Sequence, residues 1–388
     1  MRRVPRWLLF TAVVLALVVG AVSSISVGTV RQSFPGVTGQ INVPGLVGSV
    51  EVLRDDYGVP RIYADNAEDL FEAQGFVHAQ DRFYEMDFRR HLAAGRLSEL
   101  YGKSQVGTDT YVRTLGWRRV AEQELPLLAP STRRYLDAYA AGVNTYLNGR
   151  SAADLSLEYT LLGVQGLDYT PEPWTAADSV SWLKVMAWDL GSNLDAEAER
   201  AIVTAQLGSS RAAALFPAYP LDGHEPIVSR GTVVGKSFDP KARRTSARPL
   251  AGGAGSGELR EATDVLARVT KINEMVSTLL GGRSQAREKG SNSWAVSGAK
   301  TASGRAILSN DPHLATSIPS VFAQVGLHCR TVTATCPFDV SGFSLASVPG
   351  VVIGKNASMA WEWYGPRWPP PPQGVRTTRG TLKSPFER

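Results

Sequence analysis

Gly290-Ser291-Asn292-Ser293-Trp294-Ala295-Val296-Ser297-Gly298 is the stretch on which the reading of this 388-residue chain turns. A serine hydroxyl is a weak nucleophile at neutral pH and needs a base beside it. An N-terminal serine brings its own, because its α-amine, with a pKa of roughly 8, can take the hydroxyl proton through one water. The run therefore reads as a nucleophile that becomes an N-terminus once the Gly290–Ser291 bond is cut, and the chain as a precursor. Gly290 suits such a cut. Ser291 Oγ must attack the preceding carbonyl, and a residue without Cβ tolerates the strained geometry and leaves the approach open. The same residues also read as a polar turn leading into a strand.

Downstream, Ser293 to Gly298 reads as a short strand, Lys300 to Gly304 as a turn, and Arg305 to Ser309 as a second strand closing on Asn310-Asp311-Pro312-His313. Such a hairpin carries Ser291 at one end and returns His313 toward it. The whole pattern resembles the start of the catalytic β chain of the penicillin acylase (penicillin amidase) family of N-terminal nucleophile hydrolases. The residues that carry the resemblance are Gly290 to Gly298, Leu308-Ser309-Asn310-Asp311-Pro312-His313-Leu314, Val348-Pro349-Gly350-Val351-Val352-Ile353-Gly354-Lys355-Asn356 and Met359-Ala360-Trp361. Upstream, Val52 to Ala64 is similar to the family's opening strand pair, and Gly75 to Arg82 with Met86, Arg89-Arg90 and Gly95-Arg96-Leu97 to its first α-chain helices. Pro173-Trp174-Thr175, Asp178 and Met186 to Leu190 complete the α-chain pattern.

The resemblance implies an α+β fold, the four-layer αββα sandwich of these hydrolases, incomplete at the C-terminus. It divides the chain into a signal peptide or membrane anchor at 1–30, an acylase α chain at 31–228, a spacer at 229–290, the start of the β chain at 291–361 and an aberrant tail at 362–388. The implied activity is hydrolysis of linear amide (N-acyl) bonds in small molecules, after self-cleavage, by α and β chains derived from one precursor. Substrates in the family include β-lactam side-chain amides and N-acyl homoserine lactones. Ser291 is then the nucleophile, and the residues near His313 and Val348 supply the donors that hold the oxyanion, His313 through its backbone N–H or its imidazole. Met186 and Trp188 are candidates for the wall of the acyl pocket. Glu197, with Glu199 as its rival, matches an α-chain ligand of the family's structural calcium, an ion that needs six to eight oxygens; the other carboxylates lie in the β chain beyond the match. Lys355 departs from the family's usual histidine at that turn.

Other features bound the reading. With 43% hydrophobic and 20% charged residues the chain has the composition of a large globular protein. The formal charge of +5 is concentrated after Gly365, where five basic residues face Glu387 alone, and no basic helix is interleaved with aromatics, so nucleic acid is not expected as a partner. Arg2, Arg3 and Arg6 precede an apolar stretch from Leu8 to Val22, an export segment that reads as a signal peptide or, with a slight preference, as an uncleaved anchor with the body outside. The expected location is thus exported: membrane-anchored, periplasmic or extracellular. Outside the membrane, Cys329 and Cys336 are a plausible local disulfide and too few for a metal site.

Tyr135, Leu136, Tyr139, Val143, Tyr146 and Leu147 recur at helical spacing between Pro130-Ser131 and Gly149, and Thr175 and Asp178 open another helix bearing Trp182, Val185, Met186 and Asp189. From Ser229 to Lys289 the composition shifts. Lys241 to Arg244 and the Gly-rich run Ala251 to Gly257 read as an exposed flexible spacer, with a helix from Glu258 to Leu280. After Trp361 the text changes to Pro369-Pro370-Pro371-Pro372 with scattered arginines, which cannot form a central strand. That break reads as a frameshift or truncation, or as a genuine proline-rich tail. If the machinery around Ser291 is incomplete, the alternative function is that of an inactive membrane-anchored remnant acting as a binding protein.

Overall fold

A computed structural model of the chain describes residues 5–191, 194–217, 230–234, 237–243, 266–268, 270–271, 275–276, 279, 290–314 and 317–362. The N-terminal apolar run forms helix α1 (Arg6–Gln32), in which Phe10–Gln32 is 23 residues long with a mean hydropathy of 2.3. At 1.5 Å per residue that is long enough for a hydrocarbon layer of about 30 Å. Its last residue, Gln32, donates to Asp154 at 2.8 Å.

The opening strand pair is β1 (Glu51–Arg54) and β2 (Pro60–Ala64), antiparallel. Asp55 Oδ1 accepts the N–H groups of Tyr57 and Val59, both at 3.0 Å, and Gly58 takes the positive φ of 77° that the turn demands. Helix α2 (Ala67–Ala94) starts where Asn66 Oδ1 accepts the Asp69 N–H at 2.8 Å, kinks at Arg82 and stops at Gly95 in the left-handed region. The remaining helices are α3 (Leu97–Tyr101), α4 (Val106–Leu115), α5 (Trp117–Glu124), α6 (Pro130–Leu147), α7 (Ala152–Leu155), α8 (Leu157–Val164), α9 (Ala176–Gly191), α10 (Leu194–Leu207) and α11 (Ser209–Leu215). Strands β3 (Arg230–Val234) and β4 (Ser237–Arg243) form one antiparallel pair, and β5 (Gly290–Val296) and β6 (Ile307–His313) another two-stranded sheet. Then come β7 (Phe322–Cys329), β8 (Asp339–Leu345), β9 (Ile353–Lys355) and β10 (Ala360–Trp361).

The chain divides into two compact units. The first comprises Met1–Ala187 with Ser291–Tyr364, the second Trp188–Gly290 with Gly365–Arg388. In the first unit a six-stranded sheet runs β1-β2-β7-β8-β9-β10. Its pairs are antiparallel except β2 with β7, where Ile62 lies opposite Leu327 in parallel register. Ile62, Ala64, Val325 and Leu327 pack on Leu70, Phe71 and Val77 of α2, which makes a helical layer on the sheet. Farther along, Phe83 and Met86 of α2 meet Tyr139, Val143 and Tyr146 of α6 and Trp174. The two helices cross closely because the contact positions are glycines: a Cβ at Gly142 would strike the Glu72 carbonyl, and one at Gly75 the Tyr139 carbonyl. Between α2 and the segment after α7, Asp87 is fully buried yet accepts from Arg90 Nε at 2.6 Å, Tyr159 Oη at 2.6 Å and Tyr169 Oη at 2.8 Å. A buried carboxylate so supplied meets the demand that charge out of water be paired.

The α+β class expected from the sequence is present. Both hairpin strands differ in their bounds from expectation: the first is Gly290–Val296 rather than Ser293 to Gly298, and the second Ile307–His313 rather than Arg305 to Ser309. Within the expected spacer, Lys241 to Arg243 belong to strand β4 rather than to a flexible segment, and Leu266–Arg268, Thr270, Lys271, Met275, Val276 and Leu279 are helical. The Gly-rich run 251–257 and the tail from 363 onward lie outside the described residues. Cys329 and Cys336 are joined by a disulfide that closes the β7–β8 connection, with Cα atoms 5.8 Å apart.

Candidate active site

Ser291 is the second residue of β5 and is half-buried. Side chains alternate along a strand, so Ser291 and Ser293 share one face while Asn292 and Trp294 share the other. The burial follows that alternation: Ser291 and Ser293 are half-buried, Asn292 and Trp294 exposed. Ser293 Oγ donates to the carboxylate of Glu362, just beyond β10, which ties the Ser291 face of the hairpin to the residue after the last strand. The connection between β5 and β6 includes a 3-10 turn at Gly298–Lys300. Thr301 Oγ1 donates to the Arg305 carbonyl at 2.7 Å, and Gly304 has φ 67°.

His313 closes β6, and its Nε2 lies 3.5 Å from Asn292 Nδ2 and 3.1 Å from Asp311 Oδ2. The hairpin thus brings the end of β6 back to the start of β5, beside the Gly290–Ser291 bond. Because the imidazole meets the Asn292 side chain, it sits on the face opposite Ser291.

Val348 lies in the turn after β8. Its N–H closes that turn on the Leu345 carbonyl at 3.0 Å, so the donor is already engaged. Ser347, the third residue of the turn, has φ 109°, the one non-glycine residue with positive φ among those described. Met186 is buried on α9, and Trp188 follows two residues on, half-buried. Glu197 is half-buried on α10 and Glu199 exposed. Among the described residues no group of three or more His, Cys, Asp or Glu side chains could hold a metal ion. Among the described residues, Glu197 and its neighbours therefore do not make a calcium site by themselves. An open depression of about 520 Å³ at α7 and α8, lined by Tyr159, Leu167, Asp168 and Tyr169 among others, includes no residue of the β5–β6 hairpin.

The turn that carries Val348 is held by His78, Arg89 and Tyr139, which the sequence places only in helices, and by Gln74, which the sequence does not single out. Gln74 grips Gly350 twice, accepting its N–H at 2.7 Å and donating to its carbonyl at 3.0 Å. Arg89 Nη1 donates to the Ala346 carbonyl at 3.0 Å, with its guanidinium 4.6 Å from the centre of the Trp182 ring. Tyr139 Oη accepts the Ser347 N–H at 3.0 Å and contacts His78 Nδ1 at 2.8 Å, and His78 Nε2 lies 2.9 Å from Ser344 Oγ. The signal that could have found them is the spacing of Gln74 and His78, then Glu85 and Arg89, four apart on a helix whose same stripe carries Leu70 and Phe71. Polar residues on an apolar stripe need buried partners.

Residues 49–362 match the family model described as penicillin amidase. The chain belongs to the penicillin amidase family. It is 32% identical over 320 residues to a penicillin acylase 2 proenzyme from Pseudomonas sp. (strain SE83), an alignment covering 82% of this chain and 36% of that protein. It is 30% identical over 330 residues to the acyl-homoserine lactone acylase QuiP of Pseudomonas aeruginosa, covering 85% of this chain and 34% of that one. Among solved structures it resembles a thermostable penicillin G acylase from Alcaligenes faecalis, at 33% identity and a TM-score of 0.37, over 44% of this chain and 90% of that chain. This penicillin amidase family chain spans about a third of the length of the curated relatives it matches.

Proposed function

We propose that this chain belongs to the precursor of an exported amidohydrolase that cuts itself at Gly290–Ser291 and then uses Ser291 as an N-terminal nucleophile on linear N-acyl amides. The observation that carries the reading is the β5–β6 hairpin, which sets the Gly290–Ser291 bond at its start and returns His313 against Asn292. That one relative is named a proenzyme supports a precursor here. Relatives named as acylases of penicillin and of acyl-homoserine lactones support an amide acyl group as the substrate class, without choosing between the two. Export is supported by the apolar α1 and by a disulfide, which persists in oxidising compartments.

In this reading the freed α-amine of Ser291 takes the hydroxyl proton through one water while Oγ attacks the amide carbonyl. The tetrahedral oxyanion is held by backbone N–H groups near His313 and Val348. Removing such a donor typically costs about 3–4 kcal/mol of transition-state stabilisation. Since the Val348 N–H already bonds Leu345, the oxyanion must share or displace that bond. Met186 and Trp188 are proposed as acyl-pocket residues and Glu197 as a ligand in a calcium site completed elsewhere.

The test compares the wild type with Ser291→Ala, each as the full translated product, by intact mass and N-terminal sequencing. Wild type should yield a fragment beginning at Ser291 and Ser291→Ala should stay whole. Cleavage that persists at Gly290 in the alanine variant would sink the self-cleavage reading. An intact wild type without amidase activity would favour the binding-protein alternative.

A further inference from the structure

The hydrogen bonds between α2, α6 and the turn after β8 can be assigned a direction. The Ser347 N–H can only donate, so Tyr139 Oη accepts it at 3.0 Å. At the other end Ser344 Oγ donates to the Ala323 carbonyl at 3.0 Å, which can only accept. The hydroxyl hydrogen of Ser344 is thereby used, and its oxygen must accept from His78 Nε2–H at 2.9 Å. His78 Nδ1 is then bare and accepts the Tyr139 O–H at 2.8 Å. One directed chain of neutral groups results: Ser347 N–H to Tyr139, Tyr139 to His78, His78 to Ser344, Ser344 to β7. His78, Tyr139 and Ser344 are all buried, so water does not readily replace a missing member.

The chain ends on the strained residue of the turn. Ser347 occupies the third position of the turn Leu345–Val348, where a positive φ is normally left to glycine. Gln74 and Arg89 fix the flanking peptides at Gly350 and Ala346, but the Ser347 peptide itself is fixed through Tyr139.

We propose that His78 and Tyr139, encoded before the Gly290–Ser291 bond, are positioning residues for the Leu345–Gly350 turn encoded after it, holding the Ser347 peptide and so aiming the Val348 N–H. Its catalytic consequence rests on the amidohydrolase reading above; the positioning itself does not. After the cut, one piece of the protein would thus set the shape of a donor turn on the other.

Tyr139→Phe removes the hydroxyl that accepts from Ser347 and donates to His78, and at the turn the loss of the one bond to the Ser347 N–H corresponds to about a tenfold change in local opening. Hydrogen exchange followed on peptides of the 388-residue chain should show Ser347 and Val348 exchanging about tenfold faster, while Val325 and Leu327 on β7 keep their rates. Ser347→Gly supplies a second variant, because glycine holds the positive φ without help. In that background Tyr139→Phe should change exchange at Val348 by less than about threefold. In the processed full-length enzyme, Tyr139→Phe should lower kcat about tenfold with KM within about twofold. Unchanged exchange at Ser347, or equal acceleration throughout β7, would overturn the positioning role. Selective exchange with an unaltered kcat would leave the positioning role standing and remove Val348 from the oxyanion site. A wild type that never cuts at Gly290 counts against the amidohydrolase reading, and the exchange result still decides the positioning.

Discussion

Burial, reinforced by the guanidinium groups of Arg82 and Arg89, pushes the His78 imidazole from its usual 6.5 down to about 3. The groups that face it are Tyr139 from α6 and Ser344 from β8, with Arg82 and Arg89 on its own helix, both paired to Glu85. Between those two pKa values the unfolded chain binds a proton that the folded chain refuses. Stability from this group is therefore complete above about pH 6.5 and is lost as pH falls toward 3. Over pH 7 to 5 the loss amounts to about 2 kcal/mol. Urea midpoints for wild type and His78→Asn at pH 7, 6 and 5 should show the variant less stable at pH 7 but flatter in its response; parallel curves would remove His78 from the account. The residue itself was visible in the sequence, inside Gly75 to Arg82, but its partners lie 61 and 266 positions away. Pattern reading along a helix identifies a polar residue on a buried face and leaves its partner unnamed. Val348 shows the converse. Its motif was legible, whereas the bond from its N–H to Leu345 depends on the backbone conformation of Ser347, which carries no composition signal because serine is not glycine.

At the scale of elements, periodicity worked where a helix has one apolar stripe. The α6 stripe from Tyr135 to Leu147, bounded by Pro130 and Gly149, matches the helix Pro130–Leu147, and Thr175 with Asp178 opens α9, where Asp178 Oδ2 accepts the Thr175 N–H at 2.7 Å. It worked less well for β5 and β6, whose ends are Gly-Ser-Asn and Asn-Asp-Pro-His. These residues favour turns in isolation and are strand here because each end is paired with the other. The spacing also identified the apolar stripe of α6 without showing how near α2 approaches it. That distance is set by Gly142, where a methyl group would meet the Glu72 carbonyl and force the helices apart. Gly142→Ala should therefore cost about 3 kcal/mol despite alanine's better helix propensity. Gly163→Ala on α8, with nothing within 4 Å of the added methyl, should be neutral or stabilising by up to about 1 kcal/mol. Thermal unfolding of the two variants decides it, and a Gly142→Ala protein as stable as wild type would mean that the crossing relaxes without loss.

For the whole molecule, the order of strands matters more than any one contact. Strands β1 and β2 precede the Gly290–Ser291 bond, β7 to β10 follow it, and the six-stranded sheet joins the two sets through the parallel pair β2 and β7. Ile62 and Ala64 from before the bond share a core with Val325 and Leu327 from after it, sealed by Leu70 and Phe71 of α2. Neither piece can keep its part of that core dry alone: removing the earlier piece would bare the β7 edge and the apolar face beneath α2. A cut at Gly290 should consequently leave the first unit in one particle. A denaturing gel of processed protein should show two bands, and size exclusion in native buffer should elute both fragments in a single peak that persists at 1 M salt, since burial of apolar surface rather than exposed ion pairs joins them. Separation into two native peaks would show that the shared sheet does not survive the cut. Association that failed only at high salt would instead assign the join to surface pairs such as Arg330 with Asp65, 3.0 Å apart across the same two pieces.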